Sequence, residues 1–139
     1  TALTRMLFEG YVRATWLHRC ATEKQVEKFS EGWEPPKTDA LLTGLQSAKL
    51  YEGDWLADVK NASWKSMCSY AHTGGRQVQR WQTSESVEPN YSDAEIVEVL
   101  GYANLFASLA SIELVVLSGN EETLQQLSKF VGTFLPVGA

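Results

Sequence analysis

The sequence predicts an all-α protein, a helical bundle of about five to six helices. Two capping boxes, Thr22-x-x-Gln25 and Ser92-x-x-Glu95, mark helix starts, because each side chain of such a pair satisfies a backbone N–H group of the other residue. Between the turn signals, apolar residues recur at the three-to-four-residue spacing of an amphipathic helix, and no stretch alternates as a strand does. We therefore predict one helical-bundle domain over residues 1–139.

The first three helices are bounded by clear signals. The first is predicted over about residues 1–21 and ends where the Thr22 capping pattern begins. The second covers about residues 23–30 and ends before the break at residues 32–36, which contains Gly32, Pro35 and Pro36. In the third helix Thr38 is predicted as the N-cap, and the helix ends near Leu50. Its predicted core residues are Leu41, Leu42 and Leu45.

The later helices follow the same logic. Gly53 and Asp54 restart the chain, and a helical period then runs to about His72, with Thr73-Gly74-Gly75 as a predicted C-cap. Residues 76–81 are compatible with one more turn or a short helix, and residues 84–91 are predicted to be a loop. The Ser92 capping box opens the longest apolar helix, which closes at residues 118–120, and a last helix covers about residues 121–134.

The charge balance limits the classes of partner. The net charge of −5 argues against a generally basic surface for nucleic acid or membrane. Residues 1–81 hold 11 bases and 9 acids, a net of +2, whereas residues 82–139 hold 1 base and 8 acids, a net of −7. We therefore expect any contact with phosphate to come from the first part of the chain.

The two cysteines and the longest apolar stretch predict the cellular compartment. Cys20 and Cys68 lie in helical patterns without metal-ligand spacing, which indicates reduced core thiols, with one disulfide as the alternative. The longest apolar stretch, residues 105–117, contains two serines and Glu113 and is too short for a membrane span of about 20 residues. We predict a cytoplasmic protein without a membrane partner.

The chain begins in helical periodicity without Met, so we expect preceding helices to be missing.

Three ionisable residues, Arg5, Glu9 and Arg13, lie on one face of the first helix, because residues four apart differ by only 40° in direction. The rest of that helix is almost entirely apolar, which predicts that it lies inside the protein and that the charges are at least half buried. One interpretation is a structural ion-pair network that fixes the helix register. The other is the polar floor of a site, in which the two arginines hold Glu9 and await an anionic ligand.

The chain has two histidines, and each allows two interpretations. His18 follows Arg13 by five residues and is either a surface residue beside Arg19 or a catalytic group. His72 is either a C-capping side chain, favoured by the helix dipole, or part of a site beside Gly74 and Gly75, where a ligand could approach the backbone closely.

Other chemistries lack support in the sequence. Two histidines without a cysteine pair do not form a recognisable zinc site, and the phosphate-binding and nucleophile-elbow motifs are absent, so we predict no metal and no cofactor.

The tryptophans at 16, 55, 64 and 81 have core-like spacings and are predicted to pack rather than to stack on bases. Glu113 stands alone on an apolar helix, where we predict that it pairs with Arg5 or Arg13 across the core.

Two segments resemble a known family. Residues 5–17, which contain the Arg5-x-x-x-Glu9 pattern, and residues 69–74, with the sequence Ser-Tyr-Ala-His-Thr-Gly, are similar to bacterial proteins near the HEPN superfamily. The resemblance covers about residues 3–80, and Arg13 and His18 fit that superfamily's Arg-x4-6-His spacing. It implies an up-and-down helical bundle that dimerises. In active members it also implies a metal-independent ribonuclease of a toxin or defence system.

Such chemistry uses histidine as general acid or base on the ribose 2′-hydroxyl and the leaving oxygen, while arginine stabilises charge on the phosphorus. The candidate catalytic residues are Arg13, His18, His72 and Glu9, and the candidate ligand-binding residues are Arg5, Ser69 and Gly74. The sequence departs from the pattern at Ala14, where active members often have a polar residue. On one helix Arg13 and His18 also point 140° apart, so a second protomer would have to bring them to one cleft.

Three functional hypotheses follow. The first is a homodimer that acts on RNA, with a cognate protein partner as in toxin–antitoxin systems. The second is a non-catalytic helical dimer that binds a nucleotide or a protein. The third is a structural dimer in which the charges only fix the helix register. In each, the small residues Ala103, Ala107 and Ser111 offer a face for close helix approach.

Overall fold

The computed structural model describes residues 2–51, 53–71 and 91–132, with side chains in 3–51, 53–65 and 91–130. These residues form helices without any strand, which confirms the all-α bundle. The helices are α1 (Ala2–Arg19), α2 (Glu23–Ser30), α3 (Thr38–Ser47), α4 (Trp55–Ala71), α5 (Asp93–Ser118) and α6 (Glu121–Gly132).

Helix α1 is the centre of the bundle, because α3, α4 and α5 all pack against it. It runs in the same direction as α5: Tyr11 contacts Phe106, and His18 contacts Glu113, seven positions further along both helices. It runs opposite to α4, since Arg5 near its start lies over Trp64 in the middle of α4, whereas Tyr11, further along α1, bonds Tyr51 just before α4. Helix α6 folds back onto α5.

The core is an aromatic cluster around Phe106. This side chain is almost fully buried and lies edge-on to Phe8, with ring centroids 5.4 Å apart. The rings of Tyr11, Trp55 and Tyr102 surround it. The predicted core residues of α3 are confirmed as buried: Leu41, Leu42 and Leu45. Trp16, Trp55 and Trp64 lie in this core or against it, whereas Trp81 lies outside the described residues.

Both predicted capping boxes are confirmed. Thr22 accepts a hydrogen bond from the Gln25 backbone, and Ser92 accepts one from the Glu95 backbone, with the reciprocal bonds also present. Gly119 ends α5 with a φ of 68°, a left-handed conformation that glycine adopts without strain.

Two predicted helix ends are wrong. The N-cap position of α3 is Lys37, and Thr38 is already helical, with no side-chain cap. The Thr38 hydroxyl instead donates to Glu9 of α1, at 3.4 Å. Helix α3 also ends at Ser47, before Leu50, because Lys49 takes a left-handed φ of 52° and turns the chain.

The prediction that α1 is buried nearly all round is also wrong. Leu3, Met6 and Leu7 are exposed, and so are Gly10 and Ala14 on the same side. The buried side of α1 carries the residues that meet α3, α4 and α5, such as Phe8, Val12 and Trp16. Composition alone does not distinguish a helix surrounded by partners from one packed on a single side, because both can be equally apolar.

Candidate functional site

A cluster of polar side chains lies where the end of α1 meets the second half of α5. Nδ1 of His18 lies 2.9 Å from Oε2 of Glu113. Arg19 donates two hydrogen bonds to the same carboxylate, from Nε to Oε2 at 3.1 Å and from Nη2 to Oε1 at 3.3 Å. The side chain of Glu113 is only 17% exposed, whereas that of His18 is 25% exposed. The carboxylate is thus mostly enclosed, and the imidazole ring keeps contact with solvent.

Two tyrosines extend this cluster toward the core. The hydroxyl groups of Tyr11 and Tyr51 share a hydrogen bond of 2.6 Å. Burial, followed by this hydrogen bond, raises the pKa of Tyr11, and burial also raises the pKa of Tyr51. The negative charge of Glu113 acts on both phenols in the same direction. The tyrosines are therefore neutral hydrogen-bonding groups beside the His18–Glu113 pair.

The predicted partner of Glu113 is wrong: it pairs with His18 and Arg19 rather than with Arg5 or Arg13. Because α1 and α5 run in the same direction, Glu113 lies near the end of α1, while Arg5 lies near its start. The sequence did contain a signal for the correct pairing: Glu113 is a lone acid in an apolar helix, and His18 and Arg19 are adjacent bases at the end of another helix. The sequence offered no means of choosing among the arginines without the helix direction.

Arg5 and Glu9 form a second polar cluster at the start of α1. Nη2 of Arg5 lies 3.2 Å from Oε1 of Glu9, which also accepts the hydrogen bond from Thr38. The Arg5 guanidinium lies over the Trp64 ring, 4.9 Å from its centroid, and the Lys60 ammonium lies at the same distance. These contacts join α1, α3 and α4, as expected for the structural ion-pair interpretation.

Arg13 belongs to neither cluster. Its side chain is exposed, whereas His18 lies against α5 through Glu113. One chain therefore does not bring Arg13 and His18 into one cleft. Of the predicted Arg5, Glu9 and Arg13 set, the ion pairs of the described residues join only Arg5 and Glu9.

The remaining candidates are outside the described part of the chain. His72 and Gly74 lie beyond Ala71, and Ser69 is within α4 but its side chain is not described. The same holds for the Thr73-Gly74-Gly75 cap and for the Cys68 side chain. Cys20 is a free thiol, and burial raises its pKa.

Within the described residues, no group of three or more His, Cys, Asp or Glu side chains could hold a metal ion. The cluster at the end of α1 has instead a single carboxylate, one imidazole and one guanidinium. Imidazole and guanidinium groups are the side chains that proteins use for proton transfer and for anion binding.

Comparison with known protein families identifies a match over nearly the whole chain. Residues 1–136 match the family of unknown function DUF6988. The chain belongs to this family. Neither the curated proteins nor the solved structures contain a significant match. The match to this family covers all six helices and both polar clusters, and the function of the family is unknown.

The prediction that the apolar stretch at residues 105–117 is too short for a membrane span is wrong by length and composition for α5, the helix that contains it. In the described part of the chain, Asp93–Ser118 is the one helix that is long and apolar enough to cross a membrane by length and composition. One such helix is weak support for a membrane span, and only 6% of its most apolar 18 residues are buried in the bundle. In this structure α5 packs Phe106 into the core and pairs Glu113 with α1.

Proposed function

We propose that this protein cleaves RNA without a metal ion, with His18 as the general acid–base residue. The observation that carries the proposal is the 2.9 Å contact between Nδ1 of His18 and Oε2 of Glu113. A carboxylate that accepts a hydrogen bond from one ring N–H fixes the imidazole tautomer and leaves the other nitrogen as a base. This is the arrangement that proton transfer to and from a substrate requires.

The reaction that fits is attack of a ribose 2′-hydroxyl on the adjacent phosphorus. Nε2 of His18 takes the 2′-hydroxyl proton as the new O–P bond forms, and the resulting imidazolium gives that proton to the 5′-oxygen as the bond between this oxygen and phosphorus breaks. The products are a 2′,3′-cyclic phosphate and a free 5′-hydroxyl, so water is not consumed in this step. RNA is the substrate because DNA lacks the 2′-hydroxyl.

Arg19 is the nearest group for binding the phosphate. The Arg19 guanidinium has five N–H groups, of which one on Nε and one on Nη2 donate to Glu113. The others can donate to an anion. Its side chain is partly exposed beside His18. This role replaces the one that the motif spacing gave to Arg13, which lies away from His18 on the same helix.

The test is cleavage of a fluorescent RNA oligonucleotide in EDTA. We expect His18→Ala and Arg19→Ala each to reduce the rate about 100-fold or more, the range typical of general acid–base and electrostatic groups. A DNA oligonucleotide of the same sequence should remain intact. Mass spectrometry should find the cyclic phosphate product.

Arg13→Ala is the matched control for a basic side chain on α1. Full activity in this variant, with loss in Arg19→Ala, would place the phosphate contact at Arg19. Equal activity of His18→Ala and wild-type protein would refute the proposal, and loss only in His72→Ala would move the base to His72. Circular dichroism of each variant would exclude unfolding as the cause of loss.

The cellular role proposed with this activity is that of a bacterial toxin or defence component with a cognate protein partner. Its support is the resemblance of residues 5–17 and 69–74 to the HEPN group. Expression in growing bacteria should arrest growth for the wild type but not for His18→Ala. Growth unaffected by an active enzyme would contradict this role.

A second candidate function is non-catalytic binding, of a nucleotide or of a protein. The apolar side chains exposed on α1 and α5 favour a protein partner for that role. Wild-type protein that leaves RNA intact under all conditions, yet retains a defined oligomer, would support this candidate over the ribonuclease.

A further inference from the structure

The interior face of α1 carries a line of polar side chains that leads from the core to the end of the helix. Tyr11, Thr15 and Arg19 are spaced by four residues, so they share one face. His18 lies on the same face, seven residues after Tyr11. Because His18 and Arg19 bond Glu113 of α5, Thr15 lies one turn from the tyrosine and one turn from the partners of the carboxylate.

The hydroxyl group of Thr15 is buried without a hydrogen-bond partner. Thr15 is only 1% exposed, and its Oγ1 bonds to no described residue. It does not even use the backbone carbonyl one turn earlier, to which helical threonines often bond. Leaving a buried hydroxyl unpaired is costly, and such groups are typically bonded to an internal water.

Two neighbouring groups also have hydrogen-bonding capacity left. The bond between Tyr11 and Tyr51 uses one phenolic O–H, whichever tyrosine donates, so the other O–H still needs an acceptor. In Glu113, Oε2 accepts from His18 and from Nε of Arg19. Among the described residues, Oε1 accepts only from Nη2 of Arg19. A carboxylate oxygen accepts two hydrogen bonds, so Oε1 has one position left.

The electrostatic environment of the tyrosines supports the proximity of these groups. Burial is the largest cause of the raised pKa of both Tyr11 and Tyr51. The Thr15 hydroxyl lowers, and the Glu113 charge raises, the pKa of each phenol. Thr15 therefore faces both phenolic oxygens, although no direct hydrogen bond joins it to either of them.

We propose that an internal water molecule binds between these groups, accepting hydrogen bonds from Thr15 and from the remaining phenolic O–H and donating one to Oε1 of Glu113. Three hydrogen bonds are the usual number for a buried water. Water both donates and accepts, so it can join two hydroxyl groups to a carboxylate. A larger ligand does not fit, because Thr15 and Tyr11 are almost fully buried, at 1% and 4% exposure.

This water makes Thr15 and Tyr51 positioning residues for the cluster at the end of α1. Through the water they hold the Glu113 carboxylate in the plane in which it accepts the bond from His18. Tyr51 lies between α3 and α4, so the bridge also ties that connection to α5. The effect on catalysis rests on the proposed function, whereas the water site itself does not.

The first test is the sign of the stability change in Thr15→Val, measured by urea denaturation. Valine has the shape of threonine without the hydroxyl, and its helix propensity is similar. Because the water loses one of its bonds, we expect the equilibrium constant of unfolding to rise about tenfold. An unchanged or lower constant would mean that the hydroxyl is unpaired, and the proposal would be wrong. Thr43→Val, at an exposed position of α3, is the matched control and should change the constant by about twofold at most.

The second test determines whether Thr15 and Tyr51 share one partner. Tyr51→Phe keeps the ring beside Trp55 and removes the phenolic O–H. Either single variant weakens the binding of the same water, so the second substitution should cost less in the presence of the first. We expect the double variant to be more stable than the product of the two single effects, by about threefold or more. Independent effects would exclude a shared site.

A high-resolution crystal structure observes the water directly. We expect an ordered water within about 3.2 Å of Oγ1 of Thr15 and of Oε1 of Glu113, and its loss in Thr15→Val. A direct bond between Thr15 and a phenol, with no water, would account for coupling in the second test but would overturn the water site.

The positioning role has a kinetic readout of its own. Because Thr15 acts through Glu113 and not on RNA, Thr15→Val should lower kcat in the cleavage assay and leave KM unchanged. A change in KM alone would contradict the positioning role. Absence of cleavage by the wild type would refute the proposed function, while the urea and crystal experiments would still decide whether the water site exists.

Discussion

His18 and Glu113 lie 95 positions apart in the sequence, yet their side chains form a hydrogen bond of 2.9 Å between α1 and α5. Together with Arg19, they make a polar connection between two helices that also share the apolar core around Phe106. Because both helices run in the same direction, this connection fixes their relative register at one end, and the Phe8–Phe106 contact fixes it nearer the middle.

The first prediction concerns the stability that Glu113 provides. We expect Glu113→Ala to lower the free energy of unfolding by about 1–3 kcal/mol, because hydrogen bonds from Arg19 and His18 lose their enclosed acceptor. Urea denaturation measures this change. Glu98→Ala, at an exposed position of the same helix, is the matched control and should change stability by less than about 0.5 kcal/mol. Equal effects of the two variants would contradict a stabilising role for Glu113.

The second prediction concerns the close approach of α3 to α1. A Cβ atom at Gly44 would lie 2.7 Å from Nε1 of Trp16, whose rigid indole is buried. We expect Gly44→Ala to cost about 1–3 kcal/mol, since the overpacking exceeds the gain in helix propensity. Thermal unfolding should show a lower melting temperature.

Gly10→Ala is the control for this prediction. Gly10 also lies within a helix, but nothing is within 4 Å of its added Cβ. The same chemical change should therefore stabilise the protein by up to about 1 kcal/mol. Opposite signs at the two glycines would identify the Trp16 contact as the cause, and a stabilised Gly44→Ala variant would refute it.

Local signals predicted the helices well. The capping boxes at Thr22 and Ser92 and the left-handed Gly119 define their ends through contacts between residues a few positions apart. Such contacts are visible in the sequence because the partners are neighbours. Thr38 shows the limit: a side chain suited to capping is instead bonded to Glu9 of another helix.

Long-range relationships were harder to predict. Whether Leu3 and Met6 are covered depends on the number of helices around α1, which its own composition does not encode. The partner of Glu113 depends on helix direction, which in turn depends on the path of the whole chain. The sequence therefore indicated that α1 and Glu113 matter, and the structure was needed to join His18 and Glu113.

The third prediction concerns the Arg5–Glu9 pair. Both side chains are partly exposed, at 22% and 29%, so solvent screens their attraction. We expect Glu9→Gln to change the free energy of unfolding by less than about 1 kcal/mol, well below the effect of Glu113→Ala. High salt should reduce the difference between Glu9→Gln and wild type. A loss of several kcal/mol would instead indicate the buried charge network that the sequence predicted.

The fourth prediction concerns alkaline stability. Burial raises the pKa of Tyr102 to about 12, and burial raises the pKa of Tyr11 as well. In the unfolded chain these phenols lose their protons near pH 10, so above that pH the folded state holds more protons than the unfolded state. The stability that neutral tyrosines provide is complete below pH 10. It then falls by about 1.4 kcal/mol per pH unit for each tyrosine, until the folded pKa is passed.

Urea denaturation between pH 9 and 12 measures this decline, and Tyr102→Phe tests its source. Phenylalanine keeps the ring beside Phe106 but has no proton to lose, so the variant should lose stability less steeply above pH 10 than the wild type. Below pH 10 the slopes of the two proteins should coincide. Parallel curves over the whole range would show that Tyr102 ionises equally in both states, and the decline would then belong to Tyr11, Tyr51 or other groups.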